Sequence, residues 1–299
     1  MTHQEFTDYG DQLFNRLASR FPHAHKFRLL VTQPLSWQRL EAIRFAALGY
    51  VSACLGRPVR DERELGMELG KANFANMTPN GLLVPKREFV LEFNVFQRAV
   101  AGIFEDFDLC GLAAAVHVPA SLRLVTGLED SARDKRPRAT GKLHSDVWAG
   151  EPVDAVVVHI PLFGDPENIG IQFQEMQRDQ ELAFMRVLED YEEGAGLGTV
   201  HYGCQFRSGN IYFADARLLH ATVRNRGGFR LSVDFRFRLP SDGQYKAMSD
   251  AILTNGRSDN YMAYDQFRKF TSRSLMVFDN TVKEGPVTKY AADFRTLDY

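Results

Sequence analysis

Three cysteines, Cys54, Cys110 and Cys204, are too few and too far apart for a disulfide framework in a chain of 299 residues. No CxxC pair marks a zinc or redox motif, so the three read as reduced thiols of a cytoplasmic protein. Charge of either sign is not in excess: 36 Lys and Arg face 38 Asp and Glu, for a net charge of −2. That balance lacks the basic footprint of a nucleic-acid binder and gives no reason to expect an anionic membrane surface as partner. No apolar run reaches the ~18 residues of a membrane helix, and the start, Met1 to Phe6, has no basic segment leading into an apolar one. Repeats, low-complexity tracts and a convincing linker are also missing. What remains is a chain that is 44% hydrophobic with 23 Phe and 10 Tyr, enough for one large core and a single elaborated domain over 1–299.

Its first part, 1–108, reads as helical. Phe6, Leu13, Phe14 and Leu17 recur at helical spacing, as do Trp37, Leu40, Ile43, Ala47, Val51 and Leu55, until Gly56-Arg57-Pro58 ends the second segment. Residues 61–85, rich in Gly and Pro, predict loop with short helical pieces, and apolar positions from Phe89 to Phe104 predict one long helix over 87–107. After Asp108 the pattern changes to short strands at 112–118, 121–126, 141–148, 153–162, 169–173, 198–206, 210–214, 218–223 and 229–238. This is the signature of an all-β barrel or double-sheet jelly roll over 109–240, with a helical insert at 174–191. Helices at 241–254 and 259–276 and an irregular tail make up 241–299. The fold class expected is mainly β with flanking helices.

The chemistry concentrates in two short stretches. In Gly141-Lys142-Leu143-His144-Ser145-Asp146-Val147-Trp148, the period of two of a strand sends His144 and Asp146 to one face. His220 follows 74 residues beyond Asp146, and ten residues later Arg230 and Ser232 share a face of the alternating run Phe229 to Phe237. Two imidazoles and a carboxylate on one side of an iron leave three positions open, which suits a bidentate 2-oxo acid and dioxygen. A buried Arg with a hydroxyl two residues on can grip the far carboxylate of that acid.

His-x-Asp, a distant His, and Arg-x-Ser ten residues beyond it resemble the iron(II)/2-oxoglutarate-dependent dioxygenase superfamily. His144 to Trp148 together with Ile160-Pro161-Leu162-Phe163-Gly164-Asp165 is similar to its phytanoyl-CoA-hydroxylase-like branch and to hydroxylases of antibiotic and carbohydrate biosynthesis clusters. The likeness covers about 110–240. It implies a double-stranded β-helix, Fe(II) held by His144, Asp146 and His220, and 2-oxoglutarate anchored by Arg230 and Ser232. It also implies oxidative decarboxylation of 2-oxoglutarate to succinate with hydroxylation of a small polar metabolite of secondary metabolism. Halogenating relatives lack the carboxylate ligand, so Asp146 argues against halogenation, while desaturation, ring closure and epimerisation stay open.

Other residues are weaker candidates. Lys142 and Trp148 continue the face of His144 and Asp146, and Arg123 is a charge inside an apolar strand that needs an anionic partner, a substrate anion or a nearby carboxylate; all three are candidates for a substrate expected to carry a carboxylate or phosphate, beside the plainer readings of Lys142 as a snorkelling strand-end lysine and Trp148 as a residue that closes the barrel mouth. His117, His159 and His201 lie in apolar strands and read as wall or core, open to a place in the pocket; His3, His23 and His25 read as surface. Gln172 and Gln174 are undecided. Gly194 to Gly198 lacks the lysine of a phosphate loop and reads as a turn. Two rivals remain: a metal-dependent cupin-type isomerase or epimerase, which has no need of Arg230, and a non-catalytic ligand-binding barrel.

Overall fold

The computed structural model describes residues 1–69, 77–78, 80–83, 87–127, 135–225, 227–255, 261–279 and 293–298. The N-terminal part up to Asp106 supplies the helices α1 (His3–Ala18), α2 (Trp37–Leu55), α3 (Glu62–Leu69), α4 (Val90–Ala101) and α5 (Ile103–Asp106). A capping box between Thr2 and Glu5 starts α1, which buries Phe6, Leu13, Phe14 and Leu17, the four residues its spacing singles out. Ser36 caps α2, and Gly56 ends it in the left-handed conformation at φ 65°. The expected helix over 87–107 is broken: a 3-10 turn precedes α4, and Gly102 separates α4 from α5. At Gly102 the Arg39 guanidinium lies where a Cβ would sit, so the break makes room for a side chain from α2.

The N-terminal part, expected to be mainly helix, also holds β1 (His25–Lys26), β2 (Leu30–Pro34) and β3 (Leu82–Leu83), which join the main sheet. Short strands get their register from the sheet they enter, which local pattern does not carry. The main sheet also takes β4 (Ala115–Thr126), β5 (Ala155–Gly164), β8 (Asn210–Asp215), β10 (Phe229–Arg238) and β11 (Tyr261–Ala263). Its order is β1-β2-β8-β5-β10-β4-β11, with β3 on β4, and every pairing is antiparallel. A second sheet has the order β7-β6-β9, with β6 (Ile171–Met176), β7 (Gly198–Tyr202) and β9 (Leu219–Thr222). Among the described residues the two antiparallel sheets do not close into a barrel.

Strand β5 is buried along almost its whole length because α2 covers its outer side, where Arg44 Nε donates to the Leu162 carbonyl at 3.0 Å. Continuous apolar runs such as Ala155 to Val158 are what a strand covered on both faces requires. The runs 112–118 and 121–126 prove to be one strand, β4. The helical insert expected at 174–191 shrinks to α6 (Glu181–Phe184), since β6 extends to Met176. Past β10, α7 (Gly243–Asn255) matches the expected helix, while 261–279 is strand, α8 (Tyr264–Arg273), and then β12 (Ser274–Asp279), which pairs with β13 (Asp293–Asp298) where an irregular tail was expected. Among the described residues no helix is long and apolar enough to cross a membrane.

Candidate active site

His144 and His220 are brought face to face by an isolated antiparallel bridge between the two stretches. His144 N donates to the His220 carbonyl at 2.9 Å, and His220 N to the His144 carbonyl at 2.8 Å. The expected strand over 141–148 does not form. After the bridge the chain turns into a 3-10 segment, Asp146–Ala149, whose N-cap Ser145 accepts from Val147 N at 3.2 Å and donates through Oγ to the Ala216 carbonyl at 2.7 Å. Asp146 thus shares the cleft with His144 because a turn re-aims it, not through strand alternation.

Each imidazole is oriented through its back nitrogen. His144 Nδ1 donates to the Lys142 carbonyl at 2.8 Å, and His220 Nδ1 points at the Leu218 carbonyl at 3.3 Å, which leaves both Nε2 atoms for the cleft. The ring centroids are 4.3 Å apart, and Tyr191 stacks flat on His144 at 4.6 Å. Burial, reinforced by neighbouring His220, pushes the His144 imidazole down to about 3, and burial lowers His220 as well, so both are neutral and able to bind a metal near pH 7. Burial works against the Asp146 charge, but Arg236 first and then the imidazoles hold its carboxyl below the usual range.

Among the described residues no three His, Cys, Asp or Glu side chains are yet drawn together as a finished metal site. Asp146 Oδ2 is 3.7 Å from His220 Nε2, while Oδ1 accepts from Arg236 Nη2 at 3.2 Å. Adjacent ligand atoms at ~2.1 Å from a metal stand ~3 Å apart, so the Asp146–His220 pair is wider here than in a formed site. Two lone pairs and an ionised carboxylate in a buried cleft fit a divalent cation.

The cleft has a volume of ≈ 150 Å³ and is lined by His144, Asp146 and His220 together with Arg230, and also by Arg123, Arg138, His159, Asp234 and Arg236. Arg230 is only 1% exposed. Its Nη1 donates to the Ile169 carbonyl at 2.9 Å, its guanidinium lies 5.1 Å from the Phe206 ring centroid, and its Nε has no partner. With no ion pair among the described residues, burial pushes the guanidinium down to about 10. Ser232, on the same face of β10, has an equally buried and unpartnered hydroxyl.

The three substrate candidates fare differently. Lys142 does not line the cleft; its ammonium is paired with Asp190 at 2.9 Å and Glu192 at 3.4 Å, because the strand that was to aim it inward is absent. Trp148 is also outside the cleft, fully buried beneath Gly194 with Nε1 donating to the Phe184 carbonyl. Arg123 lines the cleft, but Asp234 takes its charge at 2.6 Å. His201 and Gln172 are exposed, His117 packs on Tyr261 away from the cleft, and His3, His23 and His25 are on the surface as expected. Asp234 and Arg236 went unnoticed in the sequence although the alternation that pairs Arg230 with Ser232 continues to them. Arg138 and Tyr191, contributed by irregular segments, left no sequence signal.

No family model and no curated protein matches the chain. Solved structures show a partial likeness. The non-heme alpha-ketoglutarate-dependent epimerase SnoN from nogalamycin biosynthesis is 14% identical over 76% of this chain and 82% of its own, with a TM-score of 0.39. The non-heme alpha-ketoglutarate-dependent carbocyclase SnoK, also from nogalamycin biosynthesis, is 15% identical over 77% and 85%, with a TM-score of 0.39. An N-substituted L-amino acid dioxygenase from Burkholderia ambifaria AMMD is 14% identical over 76% and 86%, with a TM-score of 0.36. Likeness at that level carries no argument about this chain, and the functional reading rests on the site.

Proposed function

We propose that the chain is an Fe(II)- and 2-oxoglutarate-dependent oxygenase on a double-stranded β-helix, hydroxylating a small polar metabolite. The observation that carries this reading is Arg230: a fully buried guanidinium with no ion pair among the described residues, facing the same small cleft as the two imidazole Nε2 atoms and Asp146. A charge left so is costly unless a ligand supplies its counterion. An acid with a keto-carboxylate at one end and a carboxylate at the other satisfies both ends of the cleft.

In this reading His144, Asp146 and His220 hold the iron, which when bound activates dioxygen against the oxo acid. Arg230 and Ser232 bind the distal carboxylate, and the Phe206 ring beside the Arg230 guanidinium helps keep water from it. The overall change balances as substrate C–H, 2-oxoglutarate and dioxygen giving substrate C–OH, succinate and carbon dioxide. The ≈ 150 Å³ cleft with arginine on several walls supports a small polar substrate rather than a long lipid chain. Arg138 is the cation at the cleft best able to meet an anionic substrate group, because its carboxylate partner among the described residues, Glu189, is 95% exposed and worth little.

The test is succinate formation and oxygen uptake by the purified protein with Fe(II) and 2-oxoglutarate, alongside His144→Ala, Asp146→Ala and His220→Ala. Each substitution is expected to abolish turnover with the fold retained by circular dichroism. Near-normal activity in any of the three removes that residue from the metal site, and product formation without 2-oxoglutarate favours an isomerase instead.

A further inference from the structure

The second sheet carries a further cation to the Arg230 end of the cleft. In β6 and β9, Phe173 faces His220 and Ile171 faces Thr222. The antiparallel register runs on past the end of β9: Val223 N donates to the Gly170 carbonyl at 3.0 Å and Asn225 N to the Asn168 carbonyl at 2.8 Å. Arg224, between those two, therefore stands opposite Ile169. The period of two that turns His220 and Thr222 to the cleft turns Arg224 to the same side, one step farther from the metal ligands. Arg230 reaches this place from the main sheet, because the carbonyl that accepts its Nη1 at 2.9 Å is that of Ile169. Two guanidinium groups, one from each sheet, thus converge beside one residue.

Neither of them is in an ion pair among the described residues, and each has a buried Nε without a hydrogen-bond partner. Arg224 is half-buried rather than turned out into water. Burial, helped by the Arg123 and Arg224 charges, lowers the Arg230 guanidinium, so the two converging cations repel each other. Like charges brought together out of water raise the free energy of the ligand-free fold unless an anion comes between them. One carboxylate has two oxygens and about four lone-pair sites, room for two arginine forks. We infer that Arg224 is a second guanidinium for the distal carboxylate of the oxo acid, meeting it from the β9 side while Arg230 and Ser232 meet it from β10. This rests on the 2-oxoglutarate reading above and adds a selection to it: the co-substrate must carry a full negative charge at its far end.

Two oxo acids and two substitutions test this role. Calorimetric titration of 2-oxoglutarate into Mn(II)-loaded protein should show binding about tenfold or more weaker in Arg224→Met, the worth of a hydrogen bond between charged groups. Arg224→Lys, which keeps the charge but not the fork, should lose about threefold. 2-Oxobutyrate has the same keto acid without the second carboxylate, so wild type and Arg224→Met should bind it equally. Mn(II) affinity and melting temperature should change little in either variant. Unchanged 2-oxoglutarate affinity in Arg224→Met overturns the inference and leaves Arg224 to the solvent. An equal loss for 2-oxobutyrate also overturns it, since the residue would then act through the fold and not on the distal carboxylate. If the wild-type protein binds Mn(II) but neither oxo acid, it is the parent reading that fails.

Discussion

Arg230 and Arg123 are both arginines in the same cleft, and their surroundings predict opposite behaviour. Arg230 has a carbonyl and an aromatic ring but no ion pair among the described residues, so Arg230→Met should leave the ligand-free protein as stable as before or stabilise it by about 1–3 kcal/mol, while 2-oxoglutarate binding falls by a hundredfold or more. Thermal melts with and without 2-oxoglutarate check both halves, and a melting temperature that drops sharply without ligand would mean the guanidinium already has its partner. Arg123 is the reverse case. Its removal leaves the buried Asp234 charge bare, so Arg123→Met should cost about 3–5 kcal/mol in urea denaturation. Lys142→Met, which breaks pairs to half-exposed acids, should cost no more than about 1 kcal/mol and leave ligand binding alone.

The 3-10 segment Asp146–Ala149 is the element on which the metal trio depends, and Ser145 is its anchor. That residue is fully buried between two proposed ligands, donating to the Ala216 carbonyl and accepting from Val147 N. Ser145→Ala orphans both groups and should destabilise the protein by about 1–2 kcal/mol while weakening Mn(II) binding by tenfold or more, because Asp146 loses its fixed direction. Equal metal affinity in this variant would show that the turn holds its shape from the Trp148 and Val147 packing alone. The neighbouring bridge between His144 and His220 uses backbone atoms only, so side-chain changes at Ser145 should leave the two rings facing each other.

At the scale of the whole molecule, the buried face of β10 is tied to its sheet neighbours β4 and β5 through Asp234, which meets Arg123 and His159, and this contact is expected to shape the acid limit of the fold. Burial opposes the Asp234 charge, but Arg123 and then His159 hold its carboxyl well below the usual range. A carboxyl depressed by folding stabilises the native state above its unfolded value near 4, and that contribution is lost as pH falls toward the folded value. Asp234→Asn should therefore be clearly less stable than wild type at pH 7, with the gap narrowing below about pH 4. Chemical denaturation across pH 3 to 7 measures it, and a gap independent of pH would remove Asp234 from the acid limb.

The strands from β5 through β10 and the end of α2 were legible in the sequence because each depends on local facts, periodicity or a terminator; His144, Asp146, His220 and Arg230 were singled out by a motif with its own spacing, and the structure sets them around one cleft. What the chain could not disclose locally was which side chains meet. Lys142 and Trp148 were misplaced because a strand was assumed where one bridge and a 3-10 turn stand, and a turn sends successive side chains in directions that alternation does not describe. His159 looked like wall until the register set it against Asp234, 75 residues away along the chain. The sequence by itself determined the mainly β class and the residue types able to hold a metal and an acid; only the tertiary structure decided which charges are already neutralised and which are left for a ligand, because neutralisation depends on distance in space.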